Sequence, residues 1–281
     1  MTVNDAYRCG IRILKDAGNE SPANDAGALL CFVADCDRTF IYAHGAEVLE
    51  DTLRENYLAI LERRVAGEPL QFLTGRQEFM SLPFIVGPGV LVPRQDTELL
   101  VETVINLCRN RKEMTEILDI GTGSGCIAIS LAHYISGCSV VAVDKMTDAL
   151  AIARKNALEN GVADRVEFIR SDLFEAIVGR QFDFIVSNPP YIRTGDIGRL
   201  QKEVRCHEPM AALDGGIDGL DFYREIIGAA PGFLRKRGSL LVETGYDQAA
   251  EVAALMADKY EQISIYKDLA GIERVVTGIC R

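Results

Sequence analysis

The stretch ILDIGTGSGCIAI at 117–129 decides the fold. An apolar run ending at Ile120 enters a glycine loop, Gly121-Thr122-Gly123-Ser124-Gly125, and a second apolar run starts at Cys126. That order reads as strand, tight turn and helix. Glycines at such a turn let the backbone approach a ligand closely. The spacing is GxGxG, not the GxGxxG whose helix N-terminus faces a pyrophosphate. Standing alone, a loop of this kind is more often a tight turn than a ligand site.

Outward from the loop, strand-like and helix-like stretches alternate. Apolar, β-branched strands are expected at 116–120, 139–144, 166–170, 182–187, 238–243, 262–267 and 274–279. Helices are expected near 124–134, 148–160, 221–235 and 247–259. Such alternation gives an α/β fold with a doubly wound, mostly parallel sheet. Only residues 268–273 join the last two strands, too few for a helical crossover, so that pair is expected to be antiparallel. Dinucleotide-binding Rossmann domains do not usually end that way, whereas the methyltransferase variant of the fold does.

Residues 1–75 read as helical. Tyr7, Ile11 and Leu14 recur at helical spacing, and Gly18 stops the run. Ser21-Pro22 is a cap followed by a first-turn proline, before a stripe of Ala26, Leu29, Leu30 and Val33. A third helix carries Leu49, Leu53, Tyr57, Ile60, Leu61 and Val65 and ends at Gly67. In GRQEFMSLPFIVGPGVLVPR (75–94), Phe79, Leu82, Phe84 and Val86 stand among Gly and Pro turn signals, as in a β-hairpin. An amphipathic helix follows, with Leu99, Leu100, Val104, Ile105 and Leu107. The expected plan is a helical domain over 1–75, a hairpin linker over 76–95 and the α/β domain over 96–281.

Composition bounds the partners. The chain has 281 residues, 48% hydrophobic and 25% charged, as in globular proteins with a substantial core. Its net charge is −11, from 30 Lys and Arg against 41 Asp and Glu. That balance disfavours binding to a phosphate backbone, which counterion release drives. Eight scattered cysteines form no CxxC pair and His is scarce, so no metal site is expected, and the thiols are expected to be reduced and mostly buried. The opening MTVNDAYRCG lacks a basic n-region before an apolar run, and no stretch approaches a membrane span. A cytoplasmic setting is the expectation, with no membrane partner.

Three strand ends carry candidate chemistry. Asp144 closes the second strand, 23 residues after Gly121, where an acid accepts hydrogen bonds from ribose hydroxyls. Otherwise it is an exposed loop carboxylate. Asp172 and Leu173 follow the third strand, placed to accept from an adenine amino group and to pack on its ring; Ser171-Asp172 also reads as a helix cap. The fourth strand, FDFIVSNPPYI (182–192), runs into Asn188-Pro189-Pro190-Tyr191. Asn188 puts an amide at the carboxyl end of a sheet strand, where open α/β sheets bind ligands. The prolines fix the backbone and leave only carbonyl acceptors, and Tyr191 offers a stacking face. A planar amide or amino nitrogen is a poor nucleophile, because its lone pair is delocalised. The Asn188 side-chain oxygen and a proline carbonyl can grip its two N–H groups and aim the lone pair at a sulfonium methyl. They also stabilise positive charge developing on nitrogen. The alternative is a proline-stiffened turn with a buried Asn.

With these segments together, the chain resembles the release factor glutamine methyltransferases, the PrmC or HemK family. LDIGTGSG (118–125), VDKMTDALAIARKNA (143–157), SDLF (171–174) and VSNPPYI (186–192) match its cofactor and catalytic segments. NPPY alone is shared with DNA adenine and ribosomal RNA guanine methyltransferases. More particular are PRQDTELLVE (93–102), EPMAALDGGIDGLDFYR (208–224) and KDLAGIERVV (267–276). The resemblance implies a class I S-adenosylmethionine-dependent methyltransferase: a Rossmann-like, seven-stranded mixed sheet with a small helical-bundle domain and a hairpin linker. It implies that Gly121, Thr122, Gly123, Ser124 and Gly125 hold the methionyl part of S-adenosyl-L-methionine. Asp144 then holds the ribose, Asp172 and Leu173 the adenine, and Asn188 borders the cofactor. Asn188, Pro189, Pro190 and Tyr191 hold the target, with Asn188, Pro189 and Tyr191 catalytic. The implied substrate is the glutamine of the GGQ motif in peptide chain release factors, and the product cofactor is S-adenosyl-L-homocysteine.

Two departures stand out: Gln95 where the family usually has proline, and Thr244 where an aliphatic residue is common after the fifth-strand glutamate. PRQDTE also reads as a hairpin end plus a helix cap, with Asp96 and Glu98 favourable in the first turn, and Glu208-Pro209 as a turn. The rival functions are a nucleic-acid amino methyltransferase, which calls for a basic face and a target-recognition domain, and a non-enzymatic cofactor-binding regulator. A nicotinamide oxidoreductase would need GxGxxG.

Overall fold

A computed structural model describes residues 1–109, 111 and 113–281. In chain order, the helical region holds α1 (Val3–Asp16), α2 (Pro22–Ala34), α3 (Arg38–Ala43), α4 (Asp51–Val65) and α5 (Leu70–Thr74). Next come β1 (Arg76–Phe79), β2 (Leu82–Ile85), α6 (Glu98–Cys108), β3 (Thr115–Ile120), α7 (Cys126–Tyr134), β4 (Cys138–Asp144), α8 (Thr147–Glu159), β5 (Val166–Arg170) and β6 (Phe182–Ser187). The chain closes with α9 (Lys202–His207), α10 (Asp221–Ala229), β7 (Leu234–Glu243), α11 (Ala249–Met256), β8 (Tyr260–Lys267) and β9 (Glu273–Cys280).

Two compact units result. The first is Met1–Gly75 with Gln201–His207, and the second is Arg76–Leu200 with Glu208–Arg281. In the first, a capping box starts α1: the Asp5 backbone donates to Thr2 Oγ1 at 3.1 Å, and the Thr2 backbone donates to the Asp5 carboxylate at 3.1 Å. The buried stripe of α1 is Val3, Ala6, Gly10 and Leu14, shifted from the expected face, so Tyr7 and Ile11 are only half-buried. Ser21 stands before Pro22 as expected but makes no side-chain cap bond. At the end of α4, Val65 is exposed and Arg64 is buried instead. Arg64 gains that place because its guanidinium pairs with Asp25 at 2.8 Å and with Glu203 at 2.6 Å. A buried charge needs such partners, and sequence periodicity cannot reveal them.

In the second unit, β1 and β2 form an antiparallel hairpin whose two turn residues, Met80 and Ser81, both have positive φ. Phe79, Leu82 and Phe84 anchor it in the core beside α6 and α7. Among the described residues seven strands form one sheet, ordered β5-β4-β3-β6-β7-β9-β8. β3 to β7 run parallel, and β9 is antiparallel to both neighbours. This is the mixed seven-stranded, Rossmann-like methyltransferase sheet. The order reverses at the β3–β6 pair, the switch point at which open α/β sheets bind ligands. One core lies under the hairpin, α6 and α7, and a second under α10 and α11.

Some elements differ from expectation. α10 stops at Ala229 because Pro231 and Gly232 follow, and β7 then begins at Leu234. Leu107 faces solvent, while Leu100, Val101, Val104 and Cys108 form the buried side of α6. Only Cys108, Cys126 and Cys138 are buried among the cysteines; Cys9 and Cys31 sit on partly solvated helix faces, Cys36 in the connection after α2 and Cys280 at the end of the last strand, and Cys206 is exposed. Among the described residues, no helix is long and apolar enough to cross a membrane.

Candidate active site

The carboxyl ends of β3, β4, β5 and β6 border a cavity of about 350 Å³. That is within the usual range for small-ligand pockets. Gly121, Gly123, Asp144, Asp172, Leu173, Asn188, Pro189 and Pro190 all line it. The loop after β3 is bent by its own backbone: the Gly121 and Thr122 N–H groups both donate to the Val143 carbonyl, at 2.9 and 3.0 Å. The Gly123 N–H then donates to Asp144 Oδ2 at 2.9 Å, and the Met146 N–H donates to Asp144 Oδ1 at 2.8 Å. Each carboxylate oxygen has a second acceptor position. Two adjacent acceptors on one fixed carboxylate match the two hydroxyls of a ribose.

Thr122, Ser124 and Gly125 do not line the cavity. Thr122 is buried, and its hydroxyl donates to Asp119 Oδ2 at 2.6 Å. Ser124 is buried, and its carbonyl accepts from the Asn156 side chain at 2.9 Å. Gly125 caps α7 at φ +83°, and a Cβ there would meet Ile129 at 2.8 Å and Ala153 at 3.1 Å. Its glycine requirement comes from helix packing, since a side chain would drive α7 off α8. The same loop thus has a cavity face at Gly121 and Gly123 and a packing face at the other three. Beneath it Asp119 is fully buried, with Oδ1 unpartnered among the described residues. Burial pushes its carboxyl up to about 7; the Thr122 and Ala128 hydrogen bonds oppose the rise and Asp144 adds to it.

After β5, the Ser171 hydroxyl donates to the Leu173 carbonyl at 2.9 Å and accepts from the Ala176 N–H at 3.0 Å. This turn holds Leu173 at φ +46°, a left-handed conformation that costs a non-glycine residue about 1–2 kcal/mol. Strain of that kind concentrates at functional sites. Asp172 takes an ion pair from Lys145 at 2.5 Å, with both side chains largely exposed. An exposed pair is worth little and can yield to a ligand. Lys145 and the apolar wall of Val90, Leu91 and Phe222 also line the cavity, and the sequence reading did not name them.

The Asn188 amide is oriented. Its Nδ2 donates to Thr97 Oγ1 at 3.1 Å, so Oδ1 is the group left for another partner. Ser187, just before it, locks β6 to β3 by donating to the Ile120 carbonyl at 2.8 Å. Tyr191 does not line the cavity; its ring packs against the second core, where burial raises its hydroxyl pKa, and its carbonyl accepts from Gln248 at 3.0 Å. The expected open stacking face is therefore turned inward. The segments singled out by resemblance converge here. Arg94 pairs with the buried Glu208 at 2.6 Å. Gly215 comes so close to the tetrad that a Cβ there would meet Tyr191 Cα at 2.7 Å and the Pro190 carbonyl at 2.8 Å.

Two site residues escaped sequence reasoning as such. Thr97 lies inside PRQDTE, which was its only signal. Glu243 ends β7, one position beyond the Ser187–Val242 register pair. It is fully buried with Oε2 unpartnered among the described residues. Burial pushes its carboxyl up to about 7; the neighbouring polar groups of Thr97 and Asn188 and the charge of Arg274 oppose the rise, and Asp96 adds to it.

Comparison with known proteins follows the same outline. Residues 5–75 match the PrmC N-terminal domain, and residues 93–204 match the methyltransferase small domain. A release factor glutamine methyltransferase of Geobacter sulfurreducens is 42% identical over 266 residues, 94% of this chain and 92% of its own. Its namesake in Koribacter versatilis is 40% identical over 279 residues, 99% of this chain and 98% of its own. A methyltransferase structure from Pyrococcus furiosus, 18% identical, shares the fold with a TM-score of 0.51 over 71% of this chain and 89% of that one. Identity at this level along nearly the whole length shows that the chain belongs to the release factor glutamine methyltransferase family.

Proposed function

We propose that this enzyme transfers a methyl group from S-adenosyl-L-methionine to the side-chain amide nitrogen of the GGQ glutamine in a peptide chain release factor. The observation that carries the reading is the direction of the Asn188 amide, whose nitrogen is committed to Thr97. Its oxygen remains to accept from a substrate N–H. A carbonyl of Pro189 or Pro190 serves as the second acceptor, and neither proline has an N–H to repel the substrate's own. Held this way, the target nitrogen presents its lone pair to the cavity, and positive charge growing on it meets two preset dipoles. No strong base is required, because the proton leaves after transfer.

The cavity fits the cofactor. Asp144 accepts from the ribose hydroxyls, Gly121 and Gly123 bring backbone close to the methionyl portion, and Leu173 lies against the adenine while Asp172 accepts its amino group. When bound, S-adenosyl-L-methionine supplies an electrophilic methyl on a sulfonium, and S-adenosyl-L-homocysteine remains. Lys145 has to release Asp172 for the adenine contact to form. The helical unit docks the release factor, since the small target amide offers little binding energy of its own.

The test is incubation with isotopically labelled S-adenosyl-L-methionine and purified release factor, followed by mass mapping. One methyl on the GGQ glutamine is expected. Label appearing in ribosomal RNA or DNA, with none in release factor, would overturn the reading.

A further inference from the structure

We infer that Gln248 is a positioning residue for the Asn188–Tyr191 tetrad: its buried side-chain amide clasps three separate chain segments and thereby fixes the backbone that presents the target-holding groups. The inference rests on the proposed role of the tetrad in holding the target amide. Pro189 and Pro190 have no N–H, so the tetrad has few donors of its own to tie it down. Its far end is held from outside. Gln248, at the start of α11, is 1% exposed. Its Nε2 donates to the Tyr191 carbonyl at 3.0 Å and to the Gly219 carbonyl at 3.2 Å. Its Oε1 accepts from the Gly245 N–H at 3.1 Å. Tyr191 follows β6, Gly219 lies in the loop before α10, and Gly245 follows β7.

The clasp is built around an amide. A glutamine side chain offers two N–H donors and one carbonyl acceptor in a plane, and both donors and the acceptor are used here. The flipped amide would set its oxygen against two carbonyls and its N–H groups against an N–H. A carboxylate would set oxygen against both carbonyls, and an apolar side chain would leave three buried backbone groups without this partner. Two glycines make room for the amide. A Cβ at Gly219 would clash with the Tyr191 carbonyl and meet Gln248 Nε2 at 2.6 Å, and one at Gly245 would meet Gln248 Oε1 at 2.7 Å. With its ring in the second core and its carbonyl on Gln248, Tyr191 is anchored twice, and the peptide joining it to Pro190 has little freedom. Gln248 does not line the cavity, so it acts only through this backbone.

The test is steady-state kinetics on intact release factor and on a short GGQ peptide, with cofactor affinity measured in parallel by calorimetry. Gln248→Met keeps the length of the side chain and removes the three hydrogen bonds. It is expected to lower kcat roughly 10- to 100-fold on both substrates, the scale of a misplaced reacting group, with S-adenosyl-L-homocysteine affinity within about 2-fold of wild type. Gln248→Glu adds a pH signature. Burial raises a carboxyl's pKa, and the neutral acid donates to a carbonyl that the carboxylate repels. The kcat of Gln248→Glu relative to wild type is therefore expected to rise roughly 5-fold or more from about pH 8 to about pH 6. If Gln248→Met does not fold, this ratio decides by itself. Should Gln248→Met keep wild-type kcat while Asn188→Ala is crippled, or the Gln248→Glu ratio stay flat with pH, Gln248 has no positioning role and the tetrad keeps its own. A loss confined to intact release factor, or cofactor affinity falling in step with kcat, equally overturns the inference. Normal turnover in Asn188→Ala overturns both readings.

Discussion

The place of Asn188 at the cavity was legible from an amide at a strand end followed by two residues that cannot donate, and the place of Asp144 there from its distance along the chain to Gly121. Thr97 and Glu243 were not, because residues 91 and 55 positions away from Asn188 meet it only through the sheet order β6-β7 and the fold of the segment before α6. The two buried acids also set the pH response of stability. Asp119 and Glu243 titrate near 7 in the folded chain, against 3.8 and 4.5 as ordinary carboxyls. Between those limits the folded state holds protons that the unfolded state has lost, so stability falls as pH rises through the window. Asp119→Asn removes one of the two groups. Urea melts at pH 5 and pH 7.5 are expected to show the pH-dependent loss shrinking by on the order of 3 kcal/mol in that variant. An unchanged difference between the two pH values would mean that Asp119 does not hold its proton in the folded protein.

Elements were most legible where period and punctuation agree. β3, β5 and β6 fall where alternation and turns put them, and the short connection between β8 and β9 announced their antiparallel pairing. What failed is where tertiary partners override the local pattern. Lys202–His207 lacks an apolar stripe and was invisible as a helix, yet it folds with the helical unit because Glu203 meets Arg64 and Gln201 meets Glu20. The loop over 208–216 showed its fit to the tetrad only in space. The Ile192 N–H donates to the Leu213 carbonyl at 3.0 Å, and the Gly215 N–H donates to the Ile192 carbonyl at 2.9 Å. Gly215→Ala forces a Cβ against Tyr191 and Pro190 backbone, neither of which can swing away as a side-chain tip would. Such overpacking costs about 1–3 kcal/mol of stability. Turnover is expected to fall roughly 10-fold or more, because the acceptor carbonyls move with the backbone. Wild-type kcat in a well-folded Gly215→Ala protein would show that the loop does not set the tetrad's position.

At the scale of the whole molecule, the proposed division of labour calls for a cleaner test than cutting the chain at residue 75. That cut would strip Gln201–His207 of its own unit, breaking the Arg64–Glu203 pair and unpacking Lys202 from Gly67, in a segment that begins ten residues after the tetrad. Lost activity would then report damage to the folding of this segment as readily as lost docking. Surface substitution avoids this. Phe32 and Tyr42 are 50% and 75% exposed on α2 and α3, large apolar rings with no core role. Buried aromatics dominate protein interfaces energetically, and exposed ones on a helical unit without catalytic groups suit the docking of a protein substrate. The double variant Phe32→Ser, Tyr42→Ser is expected to raise KM for intact release factor roughly 10-fold or more, from the loss of two such anchors. Cofactor affinity and turnover of a short GGQ peptide should not move, because neither uses the helical unit. If KM for the intact protein stays at its wild-type value, these rings do not carry the docking. If peptide turnover falls in step with it, the helices act on the catalytic unit rather than on the substrate.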